Sequence, residues 1–233
     1  MMPVAILAGG LATRLRPITE KIPKALVEVA GKPFVFHQLD WLKRQKVDQV
    51  VMCVGYLGET IRERVGTGER WGMKIQYSFD GEKLLGTGGA LQKALPLVGK
   101  EFFVFYGDSF LPINFFPVKQ AFYASGKPAM MTFLKNQGRW DQSNVEARNG
   151  KLVAYNKRAP TQLMEHVDYG LGILSASVFR DKNEKEAFDL AEVYEELTKK
   201  EQLAGFEVTA RFYEIGSKKG LAETETYLSS QLL

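Results

Sequence analysis

Leu7-Ala8-Gly9-Gly10-Leu11-Ala12-Thr13-Arg14-Leu15-Arg16-Pro17-Ile18-Thr19, with Pro23-Lys24 shortly after it, is the stretch from which the rest of the chain can be read. The apolar run Val4 to Leu7 has the composition of a short buried strand, and it empties into a loop of small residues that carries two arginines. Small residues let a backbone come close to an anion with its amides free to donate. The arginines add planar forks for phosphate oxygens, and Lys24 adds a point charge. The layout suits a triphosphate held in place while one P–O bond is exchanged. It is not a Walker-type loop, because no Gly-Lys-Ser/Thr follows, and its glycines lack the G-x-G-x-x-G spacing of a dinucleotide fold.

Outward from that loop, short apolar runs alternate with amphipathic segments, which predicts βαβ units and an α/β fold with a mostly parallel sheet. Strands are expected near 3–7, 49–55, 74–79 and 102–106, with helices starting near Pro33 and near residues 59 and 90. The fourth strand ends at Gly107-Asp108, so the loop and Asp108 point to one sheet edge, where open α/β sheets collect ligands. The second half reads differently. Strands are expected at 129–134 and 168–175, and Asn149-Gly150 signals a hairpin between 144–148 and 151–156. A helix over 188–203 stopped by Gly205, a strand over 208–215 and a last helix over 221–228 complete the reading. No linker, repeat or low-complexity segment interrupts the chain, so residues 1–233 are expected to form one domain, with a nucleotide-binding half to about residue 110 and a substrate-binding half from about 111.

Composition narrows the function. A chain of 233 residues with 45% hydrophobic residues can bury a sizeable core, and a net charge of +4 without a basic stripe argues against nucleic acid. The single cysteine, Cys53, lies in the apolar run 50–54 and is expected to be a buried thiol. No run is long enough for a membrane span, and residues 1–7 lead directly into the loop, so a cytoplasmic location without targeting segment or membrane partner is expected. His37 and His166 have no partners at metal-ligand spacing and are expected to be structural.

Two carboxylates stand out on their own chemistry. Asp108, just beyond a buried strand, sits where a magnesium ligand belongs, since Mg²⁺ takes few protein carboxylates and completes its shell with phosphate oxygens and water. Asp80, ahead of the run Leu85-Gly86-Thr87-Gly88-Gly89-Ala90, offers a hydrogen-bond acceptor that suits a base with ring N–H donors. Guanine, uracil and thymine carry such donors; adenine and cytosine do not.

The run from Leu7 to Lys24 resembles the signature of the sugar-1-phosphate nucleotidyltransferases, whose pattern is roughly L-A-G-G-x-G-T-R-L-x-P-L-T-x-x-x-P-K. In look the chain is similar to short bacterial mannose- and heptose-1-phosphate guanylyltransferases and to N-acetylmuramate-1-phosphate uridylyltransferases. The resemblance implies a Rossmann-like mixed sheet flanked by helices. It also implies condensation of a nucleoside triphosphate with a sugar 1-phosphate, Mg²⁺ as cofactor and a place in NDP-sugar biosynthesis. Leu7, Ala8, Gly9, Gly10, Leu11, Ala12 and Thr13 would hold the nucleotide's phosphates; Arg14 would grip the leaving pyrophosphate, and Lys24 would bridge α-phosphate and sugar phosphate. Asp80, Gly86, Thr87 and Gly88 would surround the base, the glycines letting its edge approach the backbone. Asp108 and Glu214 would hold the metal, Glu214 standing where the family has aspartate. Asn144, Lys157, Asp168 and Gly170 fall in the sugar-binding segments, where Asn156, Arg158 and Asp168 depart from the usual glutamate, proline and asparagine. Ala12 replaces a family glycine; its methyl group would disfavour a left-handed backbone and crowd a ligand, so the loop works if Ala12 keeps a negative φ. GTP is favoured over UTP or dTTP. A cytidylyltransferase for a phosphorylated amine or polyol and a non-catalytic nucleotide-sugar-binding regulator remain alternatives, and the sequence is compatible with a homo-oligomer.

Overall fold

Apolar strands that alternate faces are buried on both sides only when helices cover both faces of their sheet, and the computed structural model, which describes residues 1–183 and 186–231, shows that arrangement. The first half contributes β1 (Val4–Leu7), a small ribbon of β2 (Glu28–Val29) and β3 (Lys32–Pro33), helix α1 (Phe34–Arg44), β4 (Gln49–Val54), α2 (Gly58–Val65), β5 (Lys74–Phe79), α3 (Gly86–Val98) and β6 (Glu101–Tyr106). The second half contributes β7 (Ser109–Phe110), α4 (Phe115–Ser125), β8 (Ala129–Lys135), the hairpin β9 (Val145–Arg148) and β10 (Lys151–Tyr155), and the long β11 (His166–Ser175). It ends with α5 (Leu190–Lys199), β12 (Leu203–Val208), β13 (Tyr213–Glu214) and α6 (Lys218–Ser230).

Nine strands form one sheet through both halves. β1 lies between β4 and β6 with all three parallel, and β5 adds in parallel beyond β4. β11 then pairs antiparallel with β6 and, on its other side, with β8, which pairs parallel with β12. The period-2 alternation sorts the core. Val4 and Ile6 pack with Val35, Leu39 and Leu42 of α1 on one face. Ala5 packs with Leu91 and Ala94 of α3 on the other. At about 25 cal/mol per Å² of apolar surface, such fully buried Leu, Ile and Phe side chains each contribute on the order of 2 kcal/mol.

Four expectations need correcting. Helix α4 was not foreseen: Asn114 caps it by accepting from the Phe116 amide at 2.9 Å, but Phe116 faces solvent at its first turn and blurs the apolar period. Helix α5 stops at Lys199, well short of Leu203. Glu201 turns the chain at φ 55, and Gly205 lies inside β12, where an added Cβ would sit 2.7 Å from the Phe133 ring; it is a packing glycine of a strand, not a helix stop. The strand expected over 208–215 is reduced to β13, two residues that pair with β7. The hairpin turn forms as expected, with Asn149 and Gly150 at φ 53 and 70, the pair of positive values that a two-residue turn of matching twist requires.

Candidate active site

Three strand ends converge because their glycines let backbones touch. A Cβ on Gly107 would lie 2.4 Å from the Leu7 carbonyl oxygen, and one on Gly9 would lie 2.9 Å from the Gly55 nitrogen. The Gly107 amide donates to Leu7 at 3.0 Å and the Ala8 amide to Cys53 at 2.8 Å. These contacts frame a cavity of about 300 Å³ at the carboxyl edge of the parallel strands. Leu7, Ala8, Gly9, Gly10 and Ala12 line it from the loop, Lys24 and Asp108 from its floor, Asp80, Gly86 and Thr87 from the side of β5 and α3, where the base is expected, and Lys157 from the second half. Leu11, Thr13 and Arg14 are exposed and do not line it. Cys53 does, as a buried floor: burial and the nearby Asp80 charge push its thiol up to about 12.

Ala12 corrects an expectation. It adopts φ 49 and ψ 42, the left-handed conformation in which the family's glycine is free of strain. The Thr19 hydroxyl donates to the Ala12 carbonyl at 2.7 Å.

At the base of the cavity the Lys24 ammonium donates to Asp108 Oδ2 at 2.7 Å, and the Ser109 hydroxyl donates to Oδ1 at 3.2 Å. Burial works against the ionised carboxylate, but the charge and hydrogen bond of Lys24, with the Ser109 bond, outweigh it and hold Asp108 below its ordinary value. Glu214 is brought beside this pair by β13, yet its carboxylate turns back on its own loop. Oε2 accepts from the amides of Gly216 and Ser217, Oε1 accepts from the Ser217 hydroxyl, and Ser217 in turn caps α6. Gly216, which the sequence reading did not single out, fills the space between these groups: a Cβ there would meet Glu214 Oε2 at 2.8 Å, Lys24 Nζ at 3.0 Å and Arg14 at 3.3 Å. Arg14 therefore stands beside Lys24 from outside the cavity wall.

On the base side, Asp80 is buried with Oδ2 accepting from the Leu85 amide at 3.2 Å. Burial raises its carboxyl, against the lowering effects of that amide and the Lys93 charge. The glycines of this loop have a packing role that the sequence reading did not foresee. A Cβ on Gly86 would lie 2.4 Å from the Phe188 carbonyl oxygen, and one on Gly88 would lie 2.3 Å from the Phe188 ring. They admit a segment of the second half; Gly86 also lines the cavity, and Gly88 does not. The Thr87 hydroxyl is likewise engaged, donating to Asp189 Oδ1 at 2.9 Å and accepting from the Leu190 amide at 2.8 Å.

On the second-substrate side, only Lys157 of the expected residues lines the cavity, with Asp189 beside it. Asn144 Oδ1 accepts from the Asp168 amide at 2.9 Å, so its carboxamide fixes backbone. Asp168 accepts from the Tyr106 hydroxyl at 2.6 Å and from the Gly170 amide at 3.0 Å. Burial raises its carboxyl above the ordinary range, more than the Tyr106 and Gly170 bonds and the Lys157 charge lower it. Gly170 takes φ 91 at an irregularity in β11, with the Tyr106 ring 3.2 Å from where a Cβ would be. These three residues thus brace Tyr106, itself a cavity wall. Asp189 escaped the sequence reading although an aspartate just before an apolar-periodic run is a helix-start signal. His37 is buried with Nε2 2.7 Å from the Val29 carbonyl, and His166 is buried against the Phe133 ring; both lie away from the cavity.

The donor set for a divalent ion is one carboxylate, Asp108, whose side chain is 36% exposed toward the cavity. That fits a magnesium ion that completes its shell with phosphate oxygens and water. Glu214, whose Oε2 accepts from the amides of residues 216 and 217 and whose Oε1 accepts from the Ser217 hydroxyl, keeps acceptor capacity on Oε1 for such a shell.

A model of the nucleotidyl transferase family matches residues 4–142. The chain is 32% identical over 200 residues to D-glycero-alpha-D-manno-heptose 1-phosphate guanylyltransferase of Campylobacter jejuni, covering 85% of this chain and 87% of that one. It is 27% identical over 224 residues to the catalytic subunit beta of mannose-1-phosphate guanylyltransferase from Danio rerio, covering 94% of this chain but only 62% of the longer relative. Among solved structures, the inositol-1-phosphate CTP transferase of T. maritima superposes with a TM-score of 0.79 at 22% identity, over 100% of this chain and 96% of that one, a likeness of fold. No helix among the described residues is long and apolar enough to cross a membrane.

Proposed function

The chain belongs to the nucleotidyl transferase family and is a sugar-1-phosphate nucleotidyltransferase; from that premise we propose that GTP is its nucleotide and a mannose- or heptose-type sugar 1-phosphate its acceptor. The observation that carries this reading is the single cavity in which the anion loop, the Lys24–Asp108 pair, Asp80 and Lys157 meet. A nucleotide laid along it puts its base at Asp80, its phosphates over residues 8–12 and its α-phosphorus near Lys24. Lys157 then faces the incoming sugar phosphate.

An oxygen of the sugar phosphate attacks the α-phosphorus, the bond from that phosphorus to the bridging oxygen breaks, and pyrophosphate departs with the electron pair. No protein nucleophile is needed, so rate enhancement comes from alignment and from charge stabilisation. Lys24 lies between the two reacting phosphates, Lys157 neutralises the acceptor, and Arg14 meets the departing pyrophosphate from the wall. Bound at Asp108, Mg²⁺ would supply positive charge to the α-phosphate and the sugar phosphate.

Asp80 favours guanine because the carboxylate accepts from two neighbouring N–H groups, N1 and N2. A second reading, with UTP or dTTP, rests on the same carboxylate accepting from one ring N–H. The deciding experiment is pyrophosphate release with Mg²⁺ across GTP, UTP, dTTP, CTP and ATP against mannose 1-phosphate, heptose 1-phosphate and amino-sugar 1-phosphates. Release with GTP and a mannose- or heptose-type phosphate is expected; release only with CTP, or with no pair, overturns the reading.

A further inference from the structure

Lys157, the residue that meets the acceptor phosphate in the reading above, is 55% exposed and has one ion-pair partner among the described residues, Asp189 at 3.9 Å. A lysine side chain free to rotate loses entropy when a ligand fixes it, so what holds it beforehand affects how well it binds. The next residue, Arg158, pairs with Glu192 at 2.5 Å. Asp189 and Glu192 stand three residues apart on the first turn of α5 and so share a face. Between them they fasten the loop 156–159, whose turn is set by Asn156 Oδ1 accepting from the amides of Arg158 at 3.0 Å and Ala159 at 2.7 Å. Asn156 and Arg158, two departures from the family pattern, thus have a local purpose.

The same turn of α5 is fastened to the base side. The Phe188 amide donates to the Leu85 carbonyl at 3.0 Å, and the Gly88 amide donates to the Phe188 carbonyl at 3.0 Å. Thr87 and residues 189–190 exchange the two bonds already described, and Asp189 Oδ1 also caps α5 by accepting from the Ala191 amide at 2.8 Å. One carboxylate therefore touches both ends of the cavity: Oδ1 holds the base-side loop and Oδ2 faces the acceptor-side lysine.

We propose that Asp189 is a positioning residue for Lys157, and that Thr87, through its hydroxyl bond to Asp189, governs affinity for the acceptor and not for the nucleotide. The proposal rests on the acceptor role of Lys157 given above. It fits the burial of the Thr87 hydroxyl in bonds to 189 and 190, which leaves it no donor for a base.

The test is steady-state kinetics with GTP, mannose 1-phosphate and Mg²⁺ on the whole chain, with melting temperature recorded for each variant. Asp189→Asn keeps the acceptor that caps α5 and receives Thr87, and removes the charge that faces Lys157. Its KM for mannose 1-phosphate is expected to rise about tenfold, with KM for GTP and melting temperature unchanged. Thr87→Val should shift the same constant about threefold, Thr87→Ser should restore it, and the double variant should fall short of the product of the two effects, as expected of neighbours in one network. A shift in KM for GTP alone, or an unchanged KM for mannose 1-phosphate in Asp189→Asn, overturns the proposal. A wild-type enzyme that turns over no pair of nucleotide and sugar phosphate defeats the underlying reading, and the proposal falls with it.

Discussion

The two ends of the cavity, proposed above to hold the phosphates and the acceptor, are built on different plans. The first is lined by one continuous stretch of backbone, residues 7–12, hung from β1 and held by main-chain bonds to the neighbouring strand ends, with the long-range Lys24–Asp108 pair at its base. The second is assembled from side chains far apart in sequence: Lys157 with Asp189, Arg158 with Glu192, Tyr106 with Asp168. A loop of the first kind is fixed by the fold of its own residues. An end of the second kind depends on several long-range pairs at once, one of which, Tyr106 with Asp168, joins two strands of the sheet.

Substitutions can break or sharpen that contrast. Asp108→Asn should have the largest effect, lowering turnover about a hundred- to a thousandfold while the circular dichroism spectrum stays native; wild-type turnover would remove Asp108 from the chemistry. Lys24→Ala should lower kcat about a hundredfold, with a smaller change in KM for GTP, because the ammonium acts where charge develops. A defect confined to KM would make Lys24 a binding residue only and weaken the picture of a preassembled phosphate end.

Asp80→Asn should reduce the preference for GTP over ATP about tenfold, the scale of one charged hydrogen bond. The same residue predicts a pH effect. Its carboxyl is raised by burial and the ionised form is the better acceptor, so KM for GTP should climb on acidification at a pH above that for an ordinary aspartate. Asp80→Asn should flatten that limb of the profile. Ala12→Gly is the mildest change. Relief of a left-handed alanine is worth about 1–2 kcal/mol, partly offset by about 0.5–1 kcal/mol for the freedom glycine has when unfolded. A rise in the urea midpoint worth about 0.5–1 kcal/mol is expected; a fall would mean that the methyl group makes a contact the loop needs.

The contrast also explains what could be read from sequence. The strand-loop pattern at 4–16, the strand Lys74–Phe79 and the Asn149-Gly150 turn were legible because each is decided by residues next to one another. The first loop and Asp108 could be placed at one edge because parallel strands end there together, and the resemblance put Lys24 and Asp80 with them. What depended on distant partners was not legible. The packing of Phe188 against Gly86 and Gly88 could not be read from their own loop. Nor could the bonds that tie the Glu214 oxygens to residues 216 and 217. Ala12 shows a different limit: its side chain disfavours the conformation that the surrounding bonds impose.

Strand β6 sets the interval between the loop after β1 and the strand that braces Tyr106. It is bonded to β1 on one side, with Leu7 opposite Tyr106, and to β11 on the other, with Leu171 opposite Phe105. β1 and β11 are therefore two sheet spacings apart, about 10 Å, with Asp108 just past the end of the strand between them. That interval is a ruler written in main-chain hydrogen bonds. Loops around it can lengthen or shorten without changing it, whereas a slip of one residue between β6 and β11 would shift the far mark by about 3.3 Å and turn its side chains to the opposite face.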